Sequence, residues 1–479
     1  MNVLDFVVLA PLITAPLAML AGRLRPSLSR WVAVMGVLVQ GVLLAVSAPG
    51  VPGGSSVRGA SLGEAGIGWS LRMDGLALVM VGLTVVIGLL AVVSSWAVDR
   101  SPGSHFALLM LLQGALAGVF LADSILLFYV AWESVLVPMF LLIGGWGSSN
   151  ARRASMKFLV YTFAGGAVLL VGVILAILTT DSVSISAISE AGGVPEFGAL
   201  TFWLLAVGFL VKLPVVPLHT WLPDAHTEAP TAGSIVLAGV LLKMGSYGLI
   251  RIAVPFAPDA FESARAGLAV LGVVGIVWGA ATALVQSDLK RLVAYSSVAH
   301  MGFVALAIAT GTPAALSAAV LGMVSHGLVA GALFFLVGAL YERAHTRELS
   351  AFGGLGTSMP RWATAFVFAS LASAGLPGLS GFPGEFVAVV ESYGFIGWWV
   401  IVAGTGVVLA AAYNLRAVRA TVQGPARDTT KLPDLGAREV VAMAVVALLI
   451  VGVGVRPATL TTALHLDAAS AVSAAEGGR

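Results

Sequence analysis

Residues 201–222 read TFWLLAVGFLVKLPVVPLHTWL, an apolar stretch long enough to cross a bilayer, with one charged residue, Lys212, near its middle. Pro214 and Pro217 follow that lysine, and each lacks a backbone donor and clashes with the preceding helical turn. We therefore predict a membrane helix that breaks just after Lys212. Freed backbone groups are tolerated at membrane depth only where they line a cavity or pack on protein. We expect the freed carbonyls to stabilise the ammonium group of Lys212.

The composition of the whole chain indicates an integral membrane protein. Of its 479 residues, 59% are hydrophobic and only 10% are charged, whereas soluble domains have about a quarter charged residues. A water-soluble core of this length could not hide so much apolar surface. Apolar runs of membrane-spanning length predict fourteen helices, centred near Pro11, Gln40, Gly82, Gly114, Pro138, Leu169, Gly208, Lys243, Gly275, Met301, Leu328, Leu371, Thr405 and Val446. The predicted fold is all-α.

The positive charges predict an orientation, because Lys and Arg favour cytoplasmic loops. Seventeen of them fall in loops that join an odd-numbered helix to the next even-numbered one, and four fall in the other loops. Both termini are therefore expected on the outer face. The net charge of +2 gives no indication of nucleic-acid binding. The absence of cysteine excludes disulfides, thiolate metal ligands, iron–sulfur ligation and cysteine nucleophiles in this chain.

A second interrupted run lies at residues 373–386, SAGLPGLSGFPGEF, where Pro377 and Pro383 precede and flank an acidic residue, Glu385. Two interrupted helices at corresponding places indicate an internally repeated transporter. The alternative is that these prolines only kink packed helices. Because five is an odd number, the second of two five-helix repeats must be inverted. The predicted division is helices 1–3 (1–100), the first repeat (101–255), the second repeat (256–422), and helix 14 with a C-terminal tail (423–479).

Further ionisable residues lie inside the predicted helices. A lysine at a helix centre costs about 2.5–3.5 kcal/mol on insertion scales, so such a residue usually has a partner and a function. Glu133 in LLFYVAWESVLVPMF is expected to be the counter-ion of Lys212, the two titrating as a unit; alternatively it is protonated and idle. Lys243, His300 and His326 occupy the following helices. Histidine can pass protons through either nitrogen, although an isolated one is often a packing residue.

Taken in chain order, these residues form a hypothetical proton wire in the membrane plane. Its members are Glu133, Lys212, Lys243, His300, His326 and Glu385. His219, two turns after Lys212, is expected on the same side if the helix resumes. Four other polar residues are predicted to lie in loops or at helix ends, where solvation or capping explains them. They are Asp123, Asp224, His226 and Glu228. No spacing typical of a metal site or of a phosphate-binding loop is present in the sequence.

Two stretches carry a family resemblance. They are KLPVVPLHTWLPDAHTEAPTAGSIVLAGVLLKMGSYGL (212–249) and QSDLKRLVAYSSVAHMGF (286–303). Both resemble the core motif of the antiporter-like subunits of respiratory complex I and of the Mrp antiporters, over roughly residues 100 to 430. Two other segments look most like the M-type branch of this family, namely FYVAWESVLVPMFLLIGGWG (128–147) and SHGLVAGALFFLVGALYER (325–343).

The resemblance implies roles for the singled-out residues. Glu133 and Lys212 match the helix-five Glu and helix-seven Lys of an input half, and Lys243 matches the connecting lysine of helix eight. Glu385 matches the helix-twelve residue of an output half, where the other branches look like Lys. His219 matches a helix-seven histidine of the family, and His300 and His326 match its central-axis polar residues on helices ten and eleven.

The resemblance also implies a setting. It predicts a proton-translocating, non-redox subunit of NADH:quinone oxidoreductase in a bacterial cell membrane, with no cofactor or metal in this chain. FMN, iron–sulfur clusters and quinone are expected in partner chains. Expected partners are the L-type and N-type membrane subunits, the peripheral arm indirectly, and the lipid bilayer. The alternatives are a Mrp-type cation/proton antiporter or membrane hydrogenase subunit, a passive scaffold, and a stand-alone transporter.

Overall fold

A computed structural model of the chain describes residues 2–51, 57–58, 68–425 and 432–462. The described part is almost entirely helical, apart from one two-stranded antiparallel ribbon, β1 (Val57–Arg58) and β2 (Arg72–Met73), which pairs Val57 with Met73. Two of the seventeen positive charges counted in odd-to-even loops, Arg427 and Lys431, lie outside the described residues, as does the end of the predicted tail with Arg479.

Ten helices precede residue 230 in the described part of the chain. They are α1 (Val3–Leu24), α2 (Pro26–Ser47), α3 (Gly75–Ser94), α4 (Pro102–Leu121), α5 (Ile125–Ser134), α6 (Leu136–Trp146), α7 (Ala151–Thr180), α8 (Ile185–Glu190), α9 (Gly198–Lys212) and α10 (Trp221–Glu228). Short 3-10 turns cover Ala48–Gly50 and Leu218–Thr220.

Eleven described helices follow. They are α11 (Thr231–Val236), α12 (Leu242–Gly248), α13 (Val254–Phe256), α14 (Pro258–Val285), α15 (Leu289–Thr310), α16 (Pro313–Ala344), α17 (Leu355–Ser358), α18 (Pro360–Ser373), α19 (Gly381–Ile396), α20 (Val400–Thr421) and α21 (Ala437–Val455). The π turns Leu237–Leu241 and Leu249–Ala253 join α11, α12 and α13 into one span, and 3-10 turns cover Leu349–Ala351 and Gly397–Trp399.

The predicted membrane class agrees with this architecture. Each predicted helix centre falls inside a helix. Twelve stretches of the described residues are long and apolar enough to cross a bilayer, one of which, Gly381–Thr421, contains both α19 and α20. The half-helices α9 and α18 are shorter than a full span, with 15 and 14 residues. The count of fourteen crossings, the inverted repeats and the domain boundaries stay predictions.

The two innermost helices are α15 and α16. Both are almost wholly enclosed, whereas the span of α19 and α20 and the helix α21 are largely exposed. Close packing of α15 on α14 depends on glycine: a Cβ on Gly302 would lie 2.7 Å from the backbone nitrogen of Ile276 and 2.8 Å from the carbonyl oxygen of Gly272. Small residues permit such backbone contact between membrane helices. This contact fixes the depth and rotation of α15, which carries His300.

Candidate proton-transfer site

The predicted break after Lys212 is present. Helix α9 ends at Lys212, and regular helix resumes only at Trp221 after the 3-10 turn. The expected role of the freed carbonyls is wrong, however. The indole nitrogen of Trp221 donates to the Val211 carbonyl at 3.0 Å, and Lys212 Nζ has no hydrogen-bond partner among the described residues. The tryptophan that begins α10 thus takes one of the carbonyls in the last turn of α9.

Aromatic rings surround the Lys212 ammonium instead. Its side chain is only 1% exposed, and Nζ lies 5.2 Å from the ring centre of Trp132 and 5.7 Å from that of Phe158. A cation over an aromatic face gains electrostatic energy, about 2 kcal/mol when desolvated. These rings hold a buried ammonium without fixing its hydrogens, so they leave its donors available for an arriving acceptor.

Glu133 is the charged neighbour of Lys212. It lies in the last turn of α5, which stops at Ser134 because Pro138 removes the donor to that carbonyl. Glu133 and Lys212 interact electrostatically, yet Oε1 of Glu133 is buried without a hydrogen-bond partner among the described residues. The structure therefore places the predicted counter-ion near Lys212 in an open arrangement, without a direct hydrogen bond between them.

His219 does not join this pair. It lies in the 3-10 turn rather than on a resumed α-helix, and its side chain is buried. Its charged neighbour is Lys157 on α7, and Lys157 in turn forms a 2.6 Å ion pair with Asp224. The expectation of a shared side with Lys212 depended on a helix that resumes before His219, whereas α10 begins only at Trp221.

Lys243 forms the start of a second, connected group. It is fully buried between the two π turns, and Nζ donates to the Ala238 carbonyl of the first π turn and lies 2.6 Å from Nδ1 of His326. When Lys243 carries its proton, its ammonium group can only donate, and His326 then accepts through Nδ1. The predicted neighbours on helices eight and eleven are therefore in contact. Turns of π type occur often at functional sites.

A small cavity separates His326 from His300. The two imidazole ring centres are 5.8 Å apart, and both side chains line a space of about 20 Å³ open to the centre of a water molecule. Such a space accommodates a single water at about 10–15 Å³. The Nε2 atom of His326 has no protein partner among the described residues. Since Ser373 and Glu385 line the same space, one water can connect His326 to these partners of His300.

His300 completes the series with Glu385. The Nδ1 atom of His300 lies 2.5 Å from Oε1 of Glu385, and both side chains are about one-tenth exposed. The second break places the carboxylate here, because α18 ends at Ser373 and α19 begins at Gly381. On its other side, Nε2 of His300 lies 3.1 Å from the Tyr413 hydroxyl.

The structure also shows buried charged groups that the loop interpretation missed. His226 is fully buried in α10, stacked 4.4 Å from the Phe334 ring, and has no partner on either nitrogen among the described residues. It interacts electrostatically with Lys243 and Lys290. Lys290, assigned to a loop in the charge prediction, is buried in the first turn of α15 and donates to the Ala229 carbonyl at 2.5 Å.

Two acidic residues interpreted as solvated are also buried. Glu228 accepts from Ser148 at 2.7 Å and from the backbone nitrogen of Asn150 at 2.9 Å, so it helps to satisfy the start of α7. Asp123 accepts from the hydroxyl and the backbone nitrogen of Ser186. The capping part of their interpretation agrees with the structure, and the solvation part is wrong for both.

The site thus consists of two groups of residues. One is the open Glu133–Lys212 pair, and the other is the connected series Lys243, His326, His300 and Glu385. No cluster of three or more His, Asp or Glu side chains able to hold a metal ion occurs in the described part of the chain. Buried lysines, imidazoles and carboxylates in contact can exchange protons, which makes this arrangement suitable for proton transfer along the membrane plane.

Known proteins are similar to this chain in sequence and in fold. The family described as NADH:quinone oxidoreductase/Mrp antiporter, transmembrane, matches residues 122–410. The chain is 42% identical to NAD(P)H-quinone oxidoreductase chain 4 of Nostoc over 413 residues, which is 83% of this chain and 76% of that protein. It is 37% identical to NADH-quinone oxidoreductase subunit M of Rhodobacter capsulatus over 486 residues, 96% of this chain and 94% of that one.

A solved structure has a similar fold. A chain of respiratory complex I from Thermus thermophilus superposes with a TM-score of 0.89 at 30% identity, covering 98% of this chain and 99% of that chain. The family model covers both predicted breaks and all the singled-out residues from Glu133 to Glu385. The chain belongs to the NADH:quinone oxidoreductase/Mrp antiporter family of membrane proteins.

Proposed function

We propose that the chain is the M-type proton-translocating membrane subunit of an NADH:quinone oxidoreductase. The observation that carries this proposal is the series of contacts from Lys243 through His326 and His300 to Glu385, in the interior of a membrane protein. Relatives named subunit M of that enzyme, similar over almost their whole length, support it. In this account the chain contributes no redox centre, and FMN, iron–sulfur clusters and quinone belong to partner chains.

The first step is a charge shift at Glu133. When a neighbouring charge moves Glu133 toward Lys212, the carboxylate provides the acceptor that Nζ lacks, and the ammonium form is stabilised. When Glu133 moves away, Lys212 keeps only the faces of Trp132 and Phe158 and releases its proton more easily. Opening and closing of this pair therefore loads and unloads Lys212.

The second step is transfer through the connected series. A proton released by Lys212 passes to Lys243, then to His326, across the cavity to His300, and to Glu385. Moving one charge against 100 mV requires about 2.3 kcal/mol, which is comparable to gaining or losing one or two charge-assisted hydrogen bonds. The free-energy change on rearranging the Glu133–Lys212 pair is therefore comparable to the energy that the transfer step requires.

The assembly follows from the same assignment. We place the chain in a bacterial inner membrane beside L-type and N-type subunits, with both termini on the outer face, as the excess of Lys and Arg in the odd-to-even loops indicates. The Mrp-type antiporter is the second candidate because the matched family includes both kinds of protein. Glu385, where the other branches look like Lys, favours the M-type assignment.

Purification of the tagged chain in mild detergent tests the assignment. Mass spectrometry of co-purifying chains, together with an NADH:quinone assay, is the measurement. Recovery with flavin-binding and iron–sulfur subunits and with quinone reductase activity is expected. Recovery with small hydrophobic partners alone, without NADH oxidation, contradicts the oxidoreductase assignment and favours the antiporter.

A further inference from the structure

A hydroxyl and amide cluster lies on the side of His300 that faces away from Glu385. It consists of Ser373, Tyr413 and Asn414, all buried in the protein interior. Ser373 is the last residue of α18, and the other two lie on α20. Their side chains come together at Nε2 of His300, with Ser373 Oγ 3.2 Å and the Tyr413 hydroxyl 3.1 Å from that atom.

Asn414 fixes the direction of the Ser373 hydroxyl. The amide nitrogen of Asn414 donates to Ser373 Oγ at 3.2 Å and to the Ala410 carbonyl at 2.9 Å. Both amide hydrogens are thereby used, and an amide nitrogen cannot accept. Ser373 Oγ is therefore an acceptor toward Asn414. Because the Glu385 carboxylate at Nδ1 can only accept, Nε2 of the neutral imidazole carries no hydrogen, and the Ser373 hydroxyl can donate to it.

A donor at Nε2 selects one tautomer of the neutral imidazole. Nε2 has a single lone pair, which takes the hydrogen of either Ser373 or Tyr413, and in both cases it stays an acceptor. The ring proton is then on Nδ1, where it donates to Glu385 across 2.5 Å. The cluster thus supports the tautomer that the Glu385 carboxylate requires, the one that presents its proton to the acidic end of the series.

We propose that Ser373, oriented by Asn414 and assisted by Tyr413, acts as a positioning residue that holds the resting proton of His300 on Nδ1, so that protons leave His300 toward Glu385. This inference rests on the proposed proton-transfer function. In the step itself, the Nδ1–H bond breaks, an O–H bond forms on Glu385, and Nε2 receives the next proton from the cavity side. No oxidant or further reactant takes part.

The cluster matters only while the imidazole is neutral. When His300 carries protons on both nitrogens it has one form only, and the donors at Nε2 turn to accept. Loss of the Ser373 hydroxyl is therefore expected to hinder transfer at alkaline pH and to have little effect at acid pH. A residue with a purely structural role would lower activity by the same factor at every pH.

The test is proton pumping by the assembled complex in proteoliposomes, measured from about pH 6 to about pH 8. Ser373→Ala is expected to pump about fivefold more slowly than wild type at the alkaline end, the factor that one hydrogen bond contributes to a population ratio, and at the wild-type rate at the acid end. Ser373→Thr retains a hydroxyl and is expected to restore the alkaline rate.

The matched control is Ser392→Ala. Ser392 is an equally buried serine on α19 with a 2.8 Å contact to the Thr310 hydroxyl, away from His300. It is expected to show no pH-dependent loss. If Ser373→Ala prevents assembly, Asn414→Leu takes its place, because it leaves the hydroxyl but removes its orientation, and it is expected to give a smaller loss with the same pH dependence.

Two results overturn the inference. One is wild-type pumping by Ser373→Ala at every pH, and the other is a loss of equal size across the pH range. His300→Ala separates this failure from failure of the proposed function. If His300→Ala pumps normally, the proposed proton route itself is wrong. If His300→Ala stops pumping while Ser373→Ala pumps at the wild-type rate, only the proposed positioning role of Ser373 is contradicted.

Discussion

Nδ1 of His300 lies 2.5 Å from Oε1 of Glu385, although the two residues are 85 positions apart and belong to different helices. The contact exists because the interruption between α18 and α19 brings the carboxylate to the depth of His300 on α15. A short contact between an imidazole and a carboxylate in an apolar interior is a strong, charge-assisted hydrogen bond when the pair is ionised. It forms the final link of the proposed proton series.

The first prediction concerns that link. Glu385→Gln retains the size of the side chain and removes its ability to take up a proton. Proton pumping by the assembled complex is expected to fall by roughly a hundredfold, the usual contribution of a positioned proton-transfer group. The measurement is the rate of acidification inside proteoliposomes driven by NADH.

The control is Glu391→Gln on the same helix. Glu391 is half-buried and accepts from the Thr312 hydroxyl at 2.8 Å, so it shares the chemistry of Glu385 without a histidine partner. It is expected to pump at the wild-type rate. Equal rates for both variants would show that Glu385 has no special part in transfer.

The second prediction concerns His226. Phenylalanine keeps the stacked contact with Phe334, at 4.4 Å between ring centres, and removes both nitrogens. His226→Phe is expected to assemble normally and to pump more slowly, because His226 interacts electrostatically with two buried lysines, Lys243 and Lys290. Assembly is checked by native electrophoresis. Wild-type pumping would assign His226 to packing alone.

The third prediction concerns stability. Arg343 at the end of α16 binds Glu439 on α21 through two nitrogens, at 2.7 and 3.1 Å, and its side chain is 15% exposed. Arg343→Ala leaves the Glu439 carboxylate without this partner. Breaking such an enclosed pair is expected to lower the free energy of unfolding by about 3 kcal/mol. Thermal aggregation of the fluorescently tagged chain, followed by gel filtration, measures it.

Arg30→Ala provides the comparison for Arg343→Ala. Arg30 pairs with Asp99 at 3.1 Å, but the side chain of Asp99 is 88% exposed, and exposed pairs contribute about 0–1 kcal/mol. Its aggregation temperature is therefore expected to stay near that of the wild type. Equal shifts for the two arginine variants would contradict the role of the enclosed pair in anchoring α21.

The sequence predicts the membrane class and both breaks, because long apolar runs and prolines act locally. It also identifies Lys212, Lys243 and Glu385, since a charge inside an apolar run stands out without any knowledge of neighbours. The contacts among His300, His326 and Glu385 agree with the predicted series. Their order does not follow the chain, because His326 and not His300 contacts Lys243.

Other features depend on tertiary contacts that no local pattern reveals. His226 lies in the polar segment LPDAHTE, which is typical of a loop, and only the packing of Phe334 shows that it is buried. Ser373, Tyr413 and Asn414 are common residues whose meaning arises from their meeting at one imidazole nitrogen. The capture of the Val211 carbonyl by Trp221 likewise requires the path of the chain after the break.

The central claim is that buried charged residues of this chain carry the pumped protons, and Lys212→Ala tests it most directly. The measurement is the number of protons pumped per NADH oxidised by the purified complex in proteoliposomes, with Arg153→Ala, an exposed cation on α7, as control. The account predicts that Lys212→Ala assembles fully and that its pumped-proton yield falls sharply, whereas Arg153→Ala keeps the wild-type yield. A fully assembled Lys212→Ala complex with the wild-type yield would contradict the claim and would make this chain a passive scaffold.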